Sequence, residues 1–445
     1  MSENKQTNEN EQQVTTGPSR RSFVAGVAGV AGAAAVLSVS GGRALAQSTE
    51  TVTYNTFLDP ANVNDPRAAA QTQMIAAFEA SQPRVKVRVV VDPSGANGVR
   101  AVRAKADSPD VIRATNFQIP EYVSTGSILS IDELIARDKV DTKDWLISLD
   151  QTRFNGKLWG LQQDYRIPIF VYRKSKFEEA KISTPRTFRE AAALGSQLTK
   201  ANQMAYAVPV GAAGGIGGAQ ALVEFMMSSL LAGNNEPFFV PSGREIGFSD
   251  QRLLQAATVI KDLFAKKAAT PVSLQFSYNE VQDGLRAGTV ASATFALFRY
   301  RGLKAAVAND LGWAPAPSVE PNDKQAVYGF QLCINSNSPR QGAAWEFVKF
   351  MTSPVAQAIA ARGGEVVARA SAYKDAYFKT PEAEDQLGWK ALVEARGRIV
   401  NYSVIQSTFN QICGDAIQRM ILRDLPPEAV VQEVRTKYLE ALAKA

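Results

Sequence analysis

Alternating apolar and polar residues in the first third of the chain predict short strands separated by a helix. The predicted strands are Thr51–Phe57, Val85–Val91 and Ser108–Ile112. Asp65 followed by Pro66 predicts where the intervening helix begins, because a carboxylate caps free N–H groups and proline suits the first turn. This order favours an α/β fold with doubly wound sheets, in which ligands bind beyond the carboxyl ends of strands.

A polar segment between two apolar runs lies near residue 164. The pair Asn155 and Gly156 predicts a tight turn before it. The apolar runs are Leu158–Leu161 and the β-branched and aromatic Ile167–Tyr172. Between them, Gln162–Arg166 contains two amides, a carboxylate, a phenol and a guanidinium. Such groups are either solvated in a cleft or hydrogen-bonded, so the segment predicts a binding cleft, with an ordinary hairpin as the alternative.

Apolar residues at helical spacing predict further helices towards the C-terminus. One helix carries a cluster of aromatic residues that is predicted to pack in the core: Trp345, Phe347 and Phe350. The last helix begins after Pro427 and is predicted to turn its apolar residues inward: Val431, Val434, Tyr438 and Leu442. A glycine-rich stretch at 210–218 matches neither nucleotide-binding glycine pattern. It is predicted to be a loop that either faces a ligand or simply connects two elements.

The N-terminal segment has the features of an export signal. Ser19–Val24 carries paired arginines followed by Phe23, which is the twin-arginine pattern, and a weakly apolar run comes next. Ala44–Ala46 is an A-x-A cleavage pattern, so residues 1–46 are predicted to be removed. A membrane anchor is the alternative, but the apolar run is shorter than the roughly 18 residues that a spanning helix needs. The mature protein is therefore predicted to reach the periplasm through the twin-arginine machinery.

Composition excludes several classes of function. The chain has 445 residues, 45% hydrophobic and 21% charged, as in globular proteins. It contains no histidine, which excludes serine–histidine catalysis and histidine-ligated metals. Two cysteines, Cys333 and Cys413, cannot form a four-thiolate zinc site. They are predicted to be buried free thiols, with a disulfide as the alternative because exported proteins can form one. The formal net charge of +6 is dispersed along the chain, so no nucleic-acid partner is predicted. No metal and no cofactor are predicted either.

Several segments carry motifs in the order found in one known family. The matching segments are Gly126–Leu134, Gly156–Lys174, Asp283–Ala291, Ala343–Pro354 and Gly363–Arg369. Together they resemble the family 1 extracellular solute-binding proteins, the sugar-receptor family that includes maltose-binding protein, across residues 50–440. The chain departs from the family at Gln162 and Gln163, where proline and an aromatic residue are usual, and at Val367, where proline is usual.

The resemblance implies a type II periplasmic-binding-protein fold. This is an α/β fold of two lobes, each with a doubly wound mixed sheet, joined by three interlobe crossings. The crossings are expected near 162–167, 291–296 and 328–334. Lobe 1 is expected to comprise 47–163 plus 295–329, and lobe 2 to comprise 167–291 plus 333–445. Each lobe is therefore expected to be discontinuous in sequence.

The resemblance also implies a periplasmic receptor of an ABC importer. Such a receptor captures a sugar or sugar-derived solute between the lobes, delivers it to permease subunits at the membrane, and is not an enzyme. A monomer is expected. The candidate ligand contacts are Phe57, Asn116, Gln163, Asp164, Tyr165, Arg166, Arg299, Tyr300, Tyr328 and Glu365. Asp164 is expected to bond a ligand hydroxyl and to contribute little to stability without ligand.

Alternative functions remain open at this point. Arg166 and Arg299 would suit an anionic or acidic-sugar ligand of the same fold, and the departures at 162 and 163 leave a polyamine open. Asp164 and Glu365 leave an exported carbohydrate-active enzyme open, because glycosidases use two carboxylates across a cleft. Sugar binding without turnover would distinguish a receptor from an enzyme.

Overall fold

The computed structural model describes residues 49–92, 108–211, 218–233 and 236–445, with the main chain alone at 218, 225, 232, 296 and 298. The predicted export signal, its cleavage site and most of the glycine-rich stretch at 210–218 lie outside the described residues. No helix in the described ranges is both long and apolar enough to cross a membrane.

The described elements alternate between strands and helices, as an α/β fold requires. The strands are β1 (Glu50–Thr56), β2 (Val85–Val91), β3 (Val111–Thr115), β4 (Leu161–Gln162), β5 (Asp164–Tyr165), β6 (Pro168–Arg173), β7 (Met204–Ala207), β8 (Val290–Ala296), β9 (Leu311–Pro315), β10 (Gln325–Val327), β11 (Phe330–Ile334), β12 (Val366–Val367) and β13 (Gly397–Ile399). The helices are α1 (Pro66–Ser81), α2 (Ile119–Ser124), α3 (Asp132–Asp138), α4 (Lys174–Ala180), α5 (Phe188–Ala193), α6 (Gly195–Leu198), α7 (Gly218–Leu222), α8 (Ser228–Ala232), α9 (Asp250–Ala265), α10 (Tyr278–Ala287), α11 (Tyr300–Ala306), α12 (Gln341–Met351), α13 (Pro354–Arg362), α14 (Glu384–Arg396), α15 (Gln406–Leu422) and α16 (Pro427–Leu442).

Local sequence chemistry accounts for several of these boundaries. The Asp65 carboxylate accepts a hydrogen bond from the main-chain N–H of Arg67 at 3.0 Å, and Pro66 occupies the first turn of α1. The predicted strand at 85–91 is confirmed as β2. In α12, Trp345 and Phe347 are fully buried, as predicted, whereas Phe350 is only partly buried against the same core.

The first large sheet has the strand order β2–β1–β3–β11–β4. Strand β1 pairs in parallel with both β2 and β3, whereas β11 runs antiparallel to β3 and β4. Helices α1, α12 and α13 pack together on this sheet, and the Phe347 ring lies 5.2 Å from the rings of both Tyr54 and Phe78. The sheet is therefore mixed, as expected.

The second large sheet has the strand order β7–β8–β6–β9. Strand β6 runs antiparallel to β8 and β9, and β7 runs parallel to β8. Helices α5, α9, α15 and α16 pack on one another and share a hydrophobic core with this sheet, and Val434 and Tyr438 of the last helix are buried as predicted. Val431 and Leu442 are only partly buried against the same core.

The chain leaves the first large sheet after β4 and returns to it at β11, and a later segment leads from α13 beside the first sheet to α15. Residues 163–167 lie between β4 of the first sheet and β6 of the second, and residues 328–329 lead from β10 into β11. These segments are bonded to each other, because the N–H of Arg166 donates to the carbonyl of Tyr328 at 2.6 Å and the reverse bond is 3.1 Å. Residues 291–296 instead lie inside β8, so the expected position of that crossing is corrected.

Strand pairing also differs from the expected division into lobes. Strand β9 lies in 295–329, which was expected in lobe 1, yet it pairs with β6 of the second sheet. Helices α12 and α13 and the last two residues of β11 lie in 333–445, which was expected in lobe 2, yet they belong with the first sheet. Pairing over long sequence separations decides this grouping, and local patterns do not reveal it.

Both cysteines are buried free thiols, as the sequence predicts. Cys333 lies in β11 and Cys413 lies in α15, and each side chain has no exposed surface. Burial raises the pKa of both thiols above the usual range. Neither group therefore forms a disulfide or a reactive thiolate.

Candidate functional site

Two arginines and two carboxylates meet where the first crossing segment leaves the first sheet. Arg113 Nη2 donates to Asp164 Oδ2 at 2.7 Å, and Arg166 Nη2 donates to Glu365 Oε1 at 3.1 Å. Arg113 also approaches Glu365 at 3.8 Å, and Arg166 Nε lies 3.5 Å from Asp164 Oδ1. All four side chains are at most 6% exposed. We call these four residues the arginine–carboxylate cluster.

Strand register explains how such distant residues meet. Strand β5 runs antiparallel to β12, with Tyr165 opposite Val366. The next pair in this register places Arg166 opposite Glu365, although 199 residues separate them. Arg113 projects from β3 of the first sheet towards the same place.

The electrostatics of the cluster favour charge pairing. Burial alone would raise the pKa of Glu365, but the Arg166 and Arg113 guanidinium groups outweigh it and hold that pKa below its usual range. For Asp164, burial and the charge of Glu365 raise the pKa against the pull of the same arginines. Two guanidinium groups thus lie against two carboxyl groups in a buried region.

Aromatic rings cover the cluster on one side. The Arg113 guanidinium lies 4.0 Å from the centre of the Phe330 ring and 5.0 Å from that of Phe57. The Arg166 guanidinium lies 4.6 Å from the same Phe330 ring. These distances allow cation–π contacts, so both arginines are held by rings as well as by carboxylates.

Side-chain amides extend the polar region away from the cluster. Gln163 Oε1 accepts a bond from Arg113 Nε at 2.8 Å. Asn116 Nδ2 donates to Gln162 Oε1 at 3.0 Å, and Gln162 Nε2 donates to the carbonyl of Asp164 at 2.7 Å. A Cβ on Gly329 would lie 2.0 Å from that carbonyl, which is why the second crossing needs glycine here.

Two of the predicted ligand contacts, Tyr165 and Tyr300, point into the hydrophobic core and not towards the cluster. The Tyr165 hydroxyl donates to the carbonyl of Ile147 at 2.9 Å, because neighbouring strand residues point to opposite faces and Asp164 takes the cleft face. The Tyr300 hydroxyl donates to the carbonyl of Leu311 at 3.2 Å, and its ring packs edge-on against Trp389. Neither side chain belongs to the cluster.

Arg299 also lies outside the arginine–carboxylate cluster. Its Nη1 donates to Asn279 Oδ1 and to Gln282 Oε1, each at 3.0 Å, and its guanidinium lies 4.7 Å from the centre of the Tyr278 ring. Tyr328, by contrast, is buried in the second crossing, beside Arg166. Of the ten predicted contacts, seven lie in or beside the cluster: Phe57, Asn116, Gln163, Asp164, Arg166, Tyr328 and Glu365.

Sequence reasoning missed three residues of this region. Arg113 sits in a fully buried strand, and an arginine inside an apolar strand is a signal that it has a partner. Phe330 lies at the start of β11, after the second crossing. Glu224 is 5% exposed within an apolar run, and burial raises the pKa of its carboxyl to about 8 against the opposing effects of Gln220 and Arg166.

The cavities at this site are small in the described conformation. One cavity of about 20 Å³ is lined by Arg113, Asp164 and Glu365, and another of about 20 Å³ is lined by Asn116 and Tyr402. About 10–15 Å³ is enough for one water molecule, whereas pockets for organic ligands measure about 300–1,000 Å³. A sugar-sized molecule could enter only if the groups around the cluster moved apart.

Comparison with known proteins places the chain among binding proteins. The sequence pattern of the family described as "Bacterial extracellular solute-binding protein" matches residues 60–358. A search of curated proteins found no match.

Solved structures show the fold. The GacH receptor of Streptomyces glaucescens, studied unliganded and with acarbose, has 19% identity and a TM-score of 0.72 over 89% of this chain and 99% of its own. The sugar-binding protein MalE of Xanthomonas citri has 20% identity and a TM-score of 0.72 over 88% and 98%. UgpB of Mycobacterium tuberculosis, in complex with glycerophosphocholine, has 18% identity and a TM-score of 0.71 over 89% and 99%. The expected two-lobed type II fold is therefore confirmed.

Proposed function

Because the chain belongs to the bacterial extracellular solute-binding protein family, we propose that it is the periplasmic receptor of an ABC importer for a sugar or sugar-derived solute. The observation that carries this proposal is the polar cluster at the junction of the two sheets, where strand ends and both crossing segments meet. Planar amides and guanidinium groups beside aromatic rings suit the hydroxyls and the C–H faces of a sugar. The similar receptors with acarbose or glycerophosphocholine support a hydroxyl-bearing solute.

The charges of the site favour a solute without net charge. Arg113 and Arg166 pair with Asp164 and Glu365, and nearby Arg67 pairs with Asp65 at 2.6 Å. An anionic solute or a polyamine would have to separate these buried pairs, and breaking such a pair costs about 3–5 kcal/mol. Arg299, which had suggested an anionic ligand, already bonds two side-chain amides.

Capture requires the cleft to open and close. Cavities of about 20 Å³ do not admit a sugar, so the solute enters when the lobes separate and is enclosed when they return. Lobes that follow strand pairing would be grouped around β1–β4 with β11, and around β6–β9. The two crossing segments at 163–167 and 328–329 would then act as hinges.

The remaining parts of the proposal concern export and partners. A twin-arginine signal ending at Ala46 would deliver the folded protein to the periplasm, as Arg20 and Arg21 indicate. There the receptor would act as a monomer and hand its solute to permease subunits in the membrane. The family consists of binding proteins, which supports a receptor over a glycosidase.

Calorimetry on the purified mature protein tests the function. The titrants are maltose, α-D-tagatose and ribitol as neutral solutes, with glucuronate and spermidine as charged ones. We expect at least one neutral solute to bind with micromolar or tighter Kd, about 8 kcal/mol, and to be recovered unchanged by chromatography. Binding of the charged solutes alone would refute the proposal that the site takes solutes without net charge. Hydrolysis of maltose would show that the protein is an enzyme.

A further inference from the structure

We propose that Arg113 binds the solute directly, with its Nη1 donating a hydrogen bond to a solute hydroxyl in the small cavity beside α1. This inference rests on the proposed function and adds to it a contact residue, a ligand group and a position. Arg113 is not among the ligand contacts that the sequence predicts, and it lies in the middle of β3. Since every residue of that strand is buried, the arginine needs partners for its N–H groups.

The Arg113 guanidinium has hydrogen-bond partners on two of its three nitrogens. Nε donates to Gln163 Oε1 at 2.8 Å, and Nη2 donates to Asp164 Oδ2 at 2.7 Å. Nη1 is buried and has no hydrogen-bond partner among the residues that the structure describes. The side chain is only 3% exposed, so bulk water does not readily solvate this nitrogen. A buried donor without an acceptor is costly, and it marks a position where an acceptor can bind.

The cavity of about 20 Å³ that Arg113 lines has both charged and apolar side chains in its wall. The apolar ones come from the segment after β1, from α1 and from α13: Leu58, Ala70, Met74 and Ala360. The volume suits one small group of a solute and not a whole sugar. A carbon that bears a hydroxyl fits this wall, because the carbon can pack on the apolar side chains while the oxygen accepts from the guanidinium.

The charges around the cavity favour a neutral hydroxyl over other oxygen groups. Asp164 and Glu365 line the same cavity and would repel an anionic oxygen. The Arg113 charge is already paired with Asp164 and needs no further anion. A hydroxyl can accept from Nη1 and donate its own hydrogen to a carboxylate, whereas an ether or carbonyl oxygen can only accept.

Arg67 is the most exposed of the charged side chains that line the cavity. It is 16% exposed, whereas those of the arginine–carboxylate cluster are at most 6% exposed. It pairs with Asp65 at the start of α1, and its guanidinium lies 5.6 Å from the centre of the Phe57 ring. Movement of Arg67 could therefore admit a solute group without separating any ion pair of the cluster.

Calorimetric titration of two variants tests the contact. Maltose, α-D-tagatose and ribitol are titrated into wild type, Ala70→Val and Arg113→Lys. Ala70 is buried and lines the cavity, so two added methyl groups occupy the space that the solute hydroxyl needs. Lysine keeps the charge opposite Asp164 but has one nitrogen in place of three. For each solute that binds wild type, we expect the Kd to rise about tenfold or more in both variants, as for a lost hydrogen bond to a charged group.

Ala69→Val is the matched control, because Ala69 is the preceding residue of the same helix and is exposed. It carries the same loss of helix propensity without filling the cavity, so we expect its Kd to stay within twofold of wild type. Thermal unfolding shows whether each variant is folded at the titration temperature. Ala70→Ser, which adds a single oxygen, replaces Ala70→Val if the latter is unfolded, and the Ala70 variant decides alone if Arg113→Lys is unfolded.

The outcomes separate this inference from the proposed function. A folded Ala70→Val protein that binds within twofold of wild type, or as weakly as Ala69→Val, overturns the inference and leaves the receptor intact. Weak binding by Ala70→Val with wild-type binding by folded Arg113→Lys also overturns it, because the solute would then fill the cavity without bonding Arg113. If none of the three solutes binds wild type, the proposed neutral-solute function fails and the inference fails with it.

Discussion

Replacing Asp164 by alanine should destabilise the protein strongly, even without a solute. The carboxylate accepts a bond from Arg113 Nη2 at 2.7 Å and from the main-chain N–H of Phe330 at 3.1 Å, and it is 1% exposed. Its removal leaves a buried guanidinium and a buried N–H without this partner. Breaking a buried pair in this way costs about 3–5 kcal/mol.

The size of the expected change in Tm follows from the length of the chain. Unfolding entropy near 60 °C is about 2.1 cal/mol/K per residue, so a cooperative unit of about 400 residues has about 0.8 kcal/mol/K. A loss of 3–5 kcal/mol then lowers the Tm by about 4–6 °C. From sequence, Asp164 was expected to matter little for stability. Its burial in an ion pair reverses that expectation.

Scanning calorimetry and urea unfolding measure the effect, with Asp150→Ala as the control. Asp150 also pairs with an arginine, Arg153, but its side chain is 77% exposed, so its loss should cost less than about 1 kcal/mol. An Asp164→Ala protein that melts within 1 °C of both wild type and the control would refute the reasoning. Below its Tm, the variant should also bind solute about 1–3 kcal/mol more weakly.

Two further predictions concern the thiols and export. Because Cys333 and Cys413 are fully buried, a thiol reagent should modify neither in the native protein and both in denaturant; rapid labelling of the native protein would contradict their placement. Changing Arg20 and Arg21 to lysine should leave precursor in the cytoplasm, as measured by fractionation and immunoblotting, because the twin-arginine machinery reads that pair. A normal periplasmic yield would show that another export route is used.

The sequence by itself determined the local elements and the region of the site. Alternation along 85–91 predicted β2, Asp65 and Pro66 predicted the start of α1, and helical spacing predicted the buried face of α12. These features depend on neighbouring residues, so a local pattern carries them. The polar segment Gln162–Arg166 was also visible, because polar groups between two apolar runs need partners.

Only the tertiary structure decided which of these residues share a site. Asp164 and Tyr165 are neighbours in the chain, yet one faces the cluster and the other bonds the carbonyl of Ile147. Arg166 pairs with Glu365 although 199 residues separate them in sequence, and Arg113 pairs with Asp164 although 51 residues separate them. Strand register brings these side chains together, and register depends on how distant segments pair. A list of residue types along one chain does not contain that pairing, which is why Arg113 and Glu224 were missed.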